Sequence, residues 1–136
     1  MARPSTKQVE QARLLLDKAA EDEHLLDVVM DDVSVADAVY GFHCQQAAEK
    51  MLKALLSAHG ASFPRTHDLT ELLNLLTEAG ISLPEEFTWL DSLTPFAVEL
   101  RYDLVGYEGQ IDRRAIRETL HNLRTLVLKA IQGKPD

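Results

Sequence analysis

The stretch FHCQQAAEKMLKALL, residues 42–56, decides the fold of this chain. At about 100° per residue it separates into two faces, as an amphipathic helix does. The apolar face holds Cys44, Ala47, Ala48, Met51, Leu52, Leu55 and Ala58. The polar face holds His43, Gln46, Glu49, Lys50, Lys53 and Ser57. The pattern predicts a solvated polar face laced by charge pairs, although Phe42 within it indicates partial cover by another helix or a second subunit.

Helical periodicity continues before this stretch. A first amphipathic helix is predicted from residue 5 to about residue 29. Ser34 followed by Asp37 resembles a capping box that opens the helix of residues 42–56. Gly60 is placed to end that helix, because glycine adopts the left-handed conformation common after helix ends.

The remaining segments are also helical in pattern. Asp68 caps a short third helix that ends at Gly80. A fourth segment covers about 84–102, and Thr94–Pro95 within it predicts a kink or a restart. Asp112 caps a last helix that ends near residue 131. The sequence therefore predicts an all-α fold, an antiparallel up-and-down bundle of four to five helices in a single domain, 1–136.

Composition narrows the function classes. The chain has 136 residues, a net charge of −8 and a pI near 5.0, which argues against general nucleic-acid binding. Its one cysteine, Cys44, excludes an internal disulfide and a multi-cysteine metal site, so we expect a reducing, cytoplasmic setting. The start, MARPSTKQVEQAR, lacks the apolar core of a signal peptide, and no run approaches a membrane span. No cofactor is indicated.

Three blocks of the sequence together resemble the signature of HEPN-domain proteins. These are FHCQQAAEKMLKALL, PRTHDLTELLNLL and LTPFAVELRYD, and the resemblance extends over about residues 7–131. It implies a helical bundle that is usually dimeric. Many such proteins are encoded beside a minimal nucleotidyltransferase as a toxin–antitoxin pair, and others are proposed to bind nucleotides. The resemblance therefore implies a homodimer with a nucleotidyltransferase partner and a nucleotide ligand.

Many HEPN proteins are metal-independent ribonucleases with an arginine, four to six residues and then a histidine. Here Arg101 is present, but Tyr102 stands where asparagine is common and Gly106 stands where the histidine would be. The other spacings give Tyr107 and Glu108. None of these side chains is an imidazole, so the resemblance implies the subgroup with an R-Y pair and no ribonuclease catalysis by the family mechanism.

The predicted ligand site joins the polar face to the R-Y segment; its members are Gln46, Glu49, Lys50, Arg101, Tyr102 and Asp103. Glu49 is expected to pair with Arg101, while Gln46 or Lys50 holds a backbone carbonyl, a phosphate or the Tyr102 hydroxyl. Two interpretations stay open. The cluster is either a partly buried structural ion pair or a nucleotide or phosphate site.

Three other patterns could carry chemistry. Arg114 and His121 have the Arg-to-His spacing within one helix, and they define an alternative ribonuclease pair. An arginine stripe on the same helix, at Arg113, Arg117 and Arg124, is either the border of the core or an acidic-partner or phosphate surface. His67–Asp68 is either a helix cap or a catalytic or metal half-site. The function hypotheses are thus a non-catalytic binding module, a ribonuclease toxin with a non-standard site, and a dimeric scaffold without a ligand.

Overall fold

The computed structural model describes residues 3–97 and 111–133. Helices make up all the regular structure in that part of the chain, which confirms the predicted all-α bundle. The α-helices are α1 (Thr6–Val28), α2 (Asp37–Ala58), α3 (Leu69–Glu78) and α4 (Arg113–Ile131). A 3₁₀ helix, Glu85–Leu93, lies between α3 and α4, and residues 95–97 are helical as well.

Most of the predicted helix ends are confirmed. Ser5 forms a reciprocal capping box with Gln8 at the start of α1. Asp68 and Asp112 accept backbone N–H groups at the starts of α3 and α4. Gly60 and Gly80 have φ of 79° and 77°, which other residues rarely adopt. These helix ends are therefore set by residues next to them in sequence and not by contacts between helices.

The predicted start of α2 is wrong. Ser34 does not cap the helix, because its backbone N–H and hydroxyl both donate to the Asp32 side chain in the preceding turn. The helix begins at Asp37 after Ala36, which offers no side-chain cap. The capping-box pattern missed this because a nearer carboxylate competes for the serine.

The fourth segment also differs from its prediction. It is a 3₁₀ helix that ends at Leu93, and the predicted break at Thr94–Pro95 separates it from helical residues 95–97. The Thr94 N–H closes the 3₁₀ helix on Asp91 O, whereas a proline at 95 has no N–H to continue the pattern. The predicted end of the segment, near residue 102, lies outside the described residues.

Helix α2 is the centre of the bundle. It packs most extensively on α1 and then on α4, with smaller contacts to α3 and the 3₁₀ helix. Its buried residues include Cys44, Met51, Leu52 and Leu55, and burial raises the pKa of the Cys44 thiol to about 12. Gly41 lies where an added Cβ would stand 2.5 Å from the Phe96 ring, so a glycine permits this close packing.

Candidate functional site

The polar face of α2 has the charge pairs that the sequence predicted, but it is only partly solvated. Glu49 is only 6% exposed and Ser57 is fully buried. The Ser57 hydroxyl lies 2.7 Å from Gln8 O, so α1 covers this end of the face. The prediction of a solvated face was wrong for Glu49 and Ser57, because other elements surround α2 and its buried polar side chains must find partners inside the protein.

Glu49 is the centre of the first charged cluster on this face. Its Oε1 accepts from Gln45 Nε2 at 3.1 Å and lies 2.8 Å from His67 Nδ1. Its Oε2 accepts from Lys53 Nζ at 3.0 Å. Gln45 Nε2 also donates to the backbone carbonyl of His67, which fixes the loop after α2 against the helix. Burial raises the pKa of the Glu49 carboxyl, but the hydrogen bonds from His67, Lys53 and Gln45 outweigh it and leave that pKa below its ordinary value.

Asp22 on α1 is the centre of a second cluster with the same composition. Its Oδ1 lies 3.1 Å from His43 Nδ1, and its Oδ2 accepts from Lys50 Nζ at 2.6 Å. Asp22 itself is buried. Each cluster therefore consists of one buried carboxylate, one histidine and one lysine, and Gln46 lies between them with its amide donating to Gln45.

The four α2 residues that reach these clusters share one side of the helix. His43, Gln46, Lys50 and Lys53 fall within an arc of roughly 80° and extend over roughly 15 Å of helix axis. His67 joins them from the loop, and its side chain is 68% exposed. We call this surface, His43, Gln46, Lys50, Lys53 and His67, the imidazole–lysine face.

The arginine stripe of α4 belongs to a different structure, a seam against α1. Arg117 donates through Nε and Nη2 to Asp27 at 2.6 and 3.1 Å, and its Nη1 lies 3.1 Å from Glu23 as an ion pair without forming a hydrogen bond. Arg124 donates through Nε to the same buried Glu23 at 2.6 Å. The Arg117 hydrogen bond lowers the pKa of Asp27 and raises that of Arg117. The sequence left open an acidic partner for the arginine stripe, and in the structure Glu23 and Asp27 of α1 are that partner.

Arg113 holds the loop between α1 and α2. Its guanidinium donates to the carbonyls of Val29, at 2.8 Å, and Val35, and to the Asp37 carboxylate at 3.1 Å. It also lies 4.7 Å from the centre of the Tyr40 ring. One arginine therefore bonds several backbone acceptors of this turn, where the chain leaves the helix.

The predicted site residues divide into three groups. Of the described ones, Glu49 and Lys50 belong to different clusters, and Gln46 lies between them. Arg101, Tyr102 and Asp103, together with Gly106, lie outside the described residues, so their pairing with Glu49 stays a prediction.

The third group is the alternative ribonuclease pair. Arg114 binds exposed Asp31 at 2.7 Å, and with exposed His121 it lines a shallow cleft of about 340 Å³.

The His67–Asp68 pair is split between two roles. Asp68 caps α3, as the helix-cap interpretation predicted, and His67 binds Glu49.

Sequence reasoning missed Asp22, Glu23 and Gln45. A signal was available for two of them, because Glu23 follows Ala12, Leu16 and Ala19 in the core register of α1, and Gln45 lies between Gly41 and Ala48 in that of α2. A charged or amide residue in such a register predicts a buried partner. The identity of that partner depends on which helices meet, so no local pattern could supply it.

Other candidate sites carry less chemistry. A depression of about 530 Å³ between α3 and the 3₁₀ helix is lined by hydroxyl, amide and apolar groups with Asp91, and none of its lining residues is cationic. Across residues 3–97 and 111–133, no three His, Cys, Asp or Glu side chains are grouped to hold a metal ion. None of the helices in that part of the chain combines the length and apolarity needed to cross a membrane.

Comparison with known proteins supplies the family. The model of the HEPN domain matches residues 12–131, nearly the whole chain, so this protein belongs to the HEPN-domain family. None of the curated proteins and none of the solved structures matches it.

Proposed function

We propose that this protein is a non-catalytic HEPN module that binds a nucleotide or phosphate and works as a homodimer with a minimal nucleotidyltransferase, as one half of a toxin–antitoxin-like pair. The observation that carries the proposal is the imidazole–lysine face, where one lysine and one histidine lie beside each of buried Asp22 and Glu49, in a chain of net charge −8. Lysine and histidine groups that are held in place by carboxylates can donate to a phosphate, and their small number does not favour unselective nucleic-acid binding.

The absence of a family histidine supports a binding role over catalysis. Gly106 carries no side chain that can accept or donate a proton for a ribose 2′-hydroxyl. The alternative pair lacks the geometry of a prepared catalytic site, because Arg114 already binds Asp31 and both of those side chains are largely exposed.

Thermal shift against a panel of nucleotides tests the ligand part of the proposal. The unmutated protein is expected to gain thermal stability with at least one phosphate-bearing compound, since a ligand that binds only the folded state stabilises it. Arg101→Ala then tests the R-Y segment. If Arg101→Ala melts at the same temperature as the unmutated protein but no longer responds to the ligand, Arg101 has a role in binding. If the variant without ligand melts at a lower temperature, Arg101 has a structural role.

The assembly is tested separately. Light scattering at micromolar concentration is expected to give twice the chain mass of 15.2 kDa. Co-purification with a minimal nucleotidyltransferase encoded beside this protein tests the partner. A monomer would remove the homodimer from the proposal, and a dimer that no nucleotide stabilises would favour the scaffold without a ligand.

A further inference from the structure

We propose that the depression between α3 and the 3₁₀ helix is a binding site for a protonated alkyl amine, with the ammonium group at Asp91 and the alkyl stem on the apolar floor. The inference goes beyond the proposed function and does not depend on it, because the residues that line this depression are different from those of the imidazole–lysine face. It concerns an amine on an alkyl stem, whether that amine is a free polyamine or a lysine side chain of another polypeptide.

The depression has the size and the lining of a small-ligand site. Its volume of about 530 Å³ lies within the usual range for such sites, roughly 300–1,000 Å³. Its floor is apolar, because Ile81 belongs to the hydrophobic core and Leu73 and Leu83 pack against that core. The polar side chains of the lining are Thr70, Asn74, Thr77, Ser82, Thr88 and Asp91. A ligand with an apolar stem beside one polar group therefore fits this arrangement.

The polar side of the depression is rich in hydrogen-bond acceptors. The Thr77 hydroxyl donates to Leu73 O at 3.3 Å, and the Thr88 hydroxyl donates to Glu85 O at 2.8 Å. A hydroxyl has one proton to donate, so these two groups present lone pairs to a ligand. Half-buried Asp91 adds a carboxylate, which only accepts, and the other hydroxyl and amide side chains of the lining can act in either role. A donor on the ligand therefore finds more partners here than an acceptor does.

The local electrostatics favour a positive charge on that donor. Asp91 is the one charged residue among the described residues that line the depression. Thr77 lies in the last turn of α3, and Gly80 follows that end, where the helix dipole favours a cation. The last turn of α3 has no basic residue of its own. A protonated amine brings three N–H donors and a positive charge together, whereas an alcohol brings one donor and no charge.

The surrounding sequence argues against an anion as the ligand. From residue 68 to residue 97 the chain has no lysine, arginine or histidine, but it has six acidic residues: Asp68, Glu71, Glu78, Glu85, Glu86 and Asp91. A phosphate or carboxylate would be repelled by this segment and would meet no cation in the described lining. The acidic segment determines the sign of the ligand charge, while the cavity and its acceptors determine where the ligand binds.

Three compounds with stems of similar length test this chemistry by NMR: butylamine, butanol and butyrate. Each is added to isotope-labelled protein, and the backbone amide signals of Thr77, Gly80, Ser82 and Asp91 are followed. We expect butylamine to shift these signals along one saturating curve, and butanol and butyrate to leave them nearly unmoved at the same concentrations. Sodium chloride at matched ionic strength is the control for screening. Equal shifts with butanol, butyrate or the salt would overturn the proposal.

Asp91→Asn tests the carboxylate. Asparagine keeps an acceptor oxygen and removes the charge, so we expect butylamine to bind about tenfold more weakly, as for the loss of a charge-assisted hydrogen bond. Glu86→Gln is the matched control and should bind normally, because Glu86 is an exposed carboxylate of the same 3₁₀ helix outside the depression. Unchanged affinity in Asp91→Asn would overturn the proposal, and so would equal weakening in both variants, which would indicate a general charge effect.

Asn74→Lys places an amine in the depression from α3 itself. Asn74 is exposed and lysine is a good helix former, so this variant is expected to fold even if Asp91→Asn does not. We expect it to bind butylamine at least about tenfold more weakly, because its own ammonium occupies the site and repels a second cation. Ser92→Lys adds the same charge at an exposed position outside the depression and is the matched control. Equal affinities of the two variants would contradict a site in this depression.

Spermidine and a short capped peptide with one lysine distinguish the two sources of the amine. The compound that shifts the same four amide signals at the lower concentration identifies the source. If neither compound shifts them, the proposal is overturned. The imidazole–lysine face is tested with phosphate compounds and with other residues, so failure of this proposal leaves the proposed function standing.

Discussion

The α1–α4 seam and the imidazole–lysine face both pair cations with buried carboxylates, but they use their donors differently. In the seam, Arg117 contacts Asp27 and Glu23 at once, and Arg124 donates to Glu23 and to the Leu16 carbonyl. On the face, Lys50 and Lys53 each make one bond to a carboxylate, and within residues 3–97 and 111–133 neither makes a second hydrogen bond.

That difference separates a structural element from a candidate site. A guanidinium is a rigid fork that holds two helices together when its donors are occupied from more than one side. A lysine ammonium that makes one bond to a carboxylate is still able to donate to a ligand. Arg124 and the Nε and Nη2 groups of Arg117 are thus committed to the seam, although Arg117 Nη1 has no hydrogen-bond partner among the described residues.

The largest expected effect is in the seam. Glu23→Gln removes the charge that Arg117 and Arg124 share, and Glu23 is only 5% exposed. Loss of one member of a buried ion pair costs about 3–5 kcal/mol of unfolding free energy. Urea unfolding measures it. Asp27→Asn is the matched control, because Asp27 is exposed, and it should cost about 1 kcal/mol or less. Equal losses in the two variants would contradict a buried seam.

A smaller effect is expected at Arg113. Arg113→Lys keeps the charge but cannot reach the Val29 and Val35 carbonyls and Asp37 together, so we expect a loss of about 1–3 kcal/mol. Hydrogen exchange should accelerate at the amides of residues 29–37. Arg114→Lys, whose partner Asp31 is exposed, is the control and should leave exchange unchanged. Unchanged exchange in the Arg113 variant would show that the loop is held by other contacts.

The pH dependence sharpens the description of the imidazole–lysine face. The pKa of Glu49 is below its ordinary value of 4.5, so its ionised form contributes stability that is present above that value and lost as pH falls through the folded pKa. Glu49→Gln is therefore expected to be less stable than the unmutated protein at neutral pH, with a difference that narrows in acid. Unfolding curves across this pH range measure it, with exposed Glu118→Gln as control. A difference independent of pH would contradict the assignment.

The smallest expected effect concerns the alternative ribonuclease pair. Purified protein should not cleave total RNA or a defined single strand, with or without a divalent metal. Arg114→Ala and His121→Ala should change neither this result nor the melting temperature by much, because the Arg114–Asp31 pair is exposed. Specific cleavage that either substitution abolishes would make the protein a ribonuclease with a non-standard site.

The sequence by itself determined the helical class and most helix ends. Ser5, Asp68, Asp112, Gly60 and Gly80 act within one turn of their own position, so their local chemistry decides where a helix starts or stops. Ser34 did not mark a helix start, because its hydrogen bonds go to another nearby residue, Asp32.

Only the tertiary structure decided what the polar residues do. The pattern of α2 placed His43, Glu49 and Lys50 on one face, but it could not show that Asp22 lies opposite, or that His67 returns from the next loop. Those partners are 18 to 28 residues away in sequence. Which carboxylate is buried, and which histidine lies beside it, depends on how helices pack, and packing is a property of the whole chain rather than of any segment.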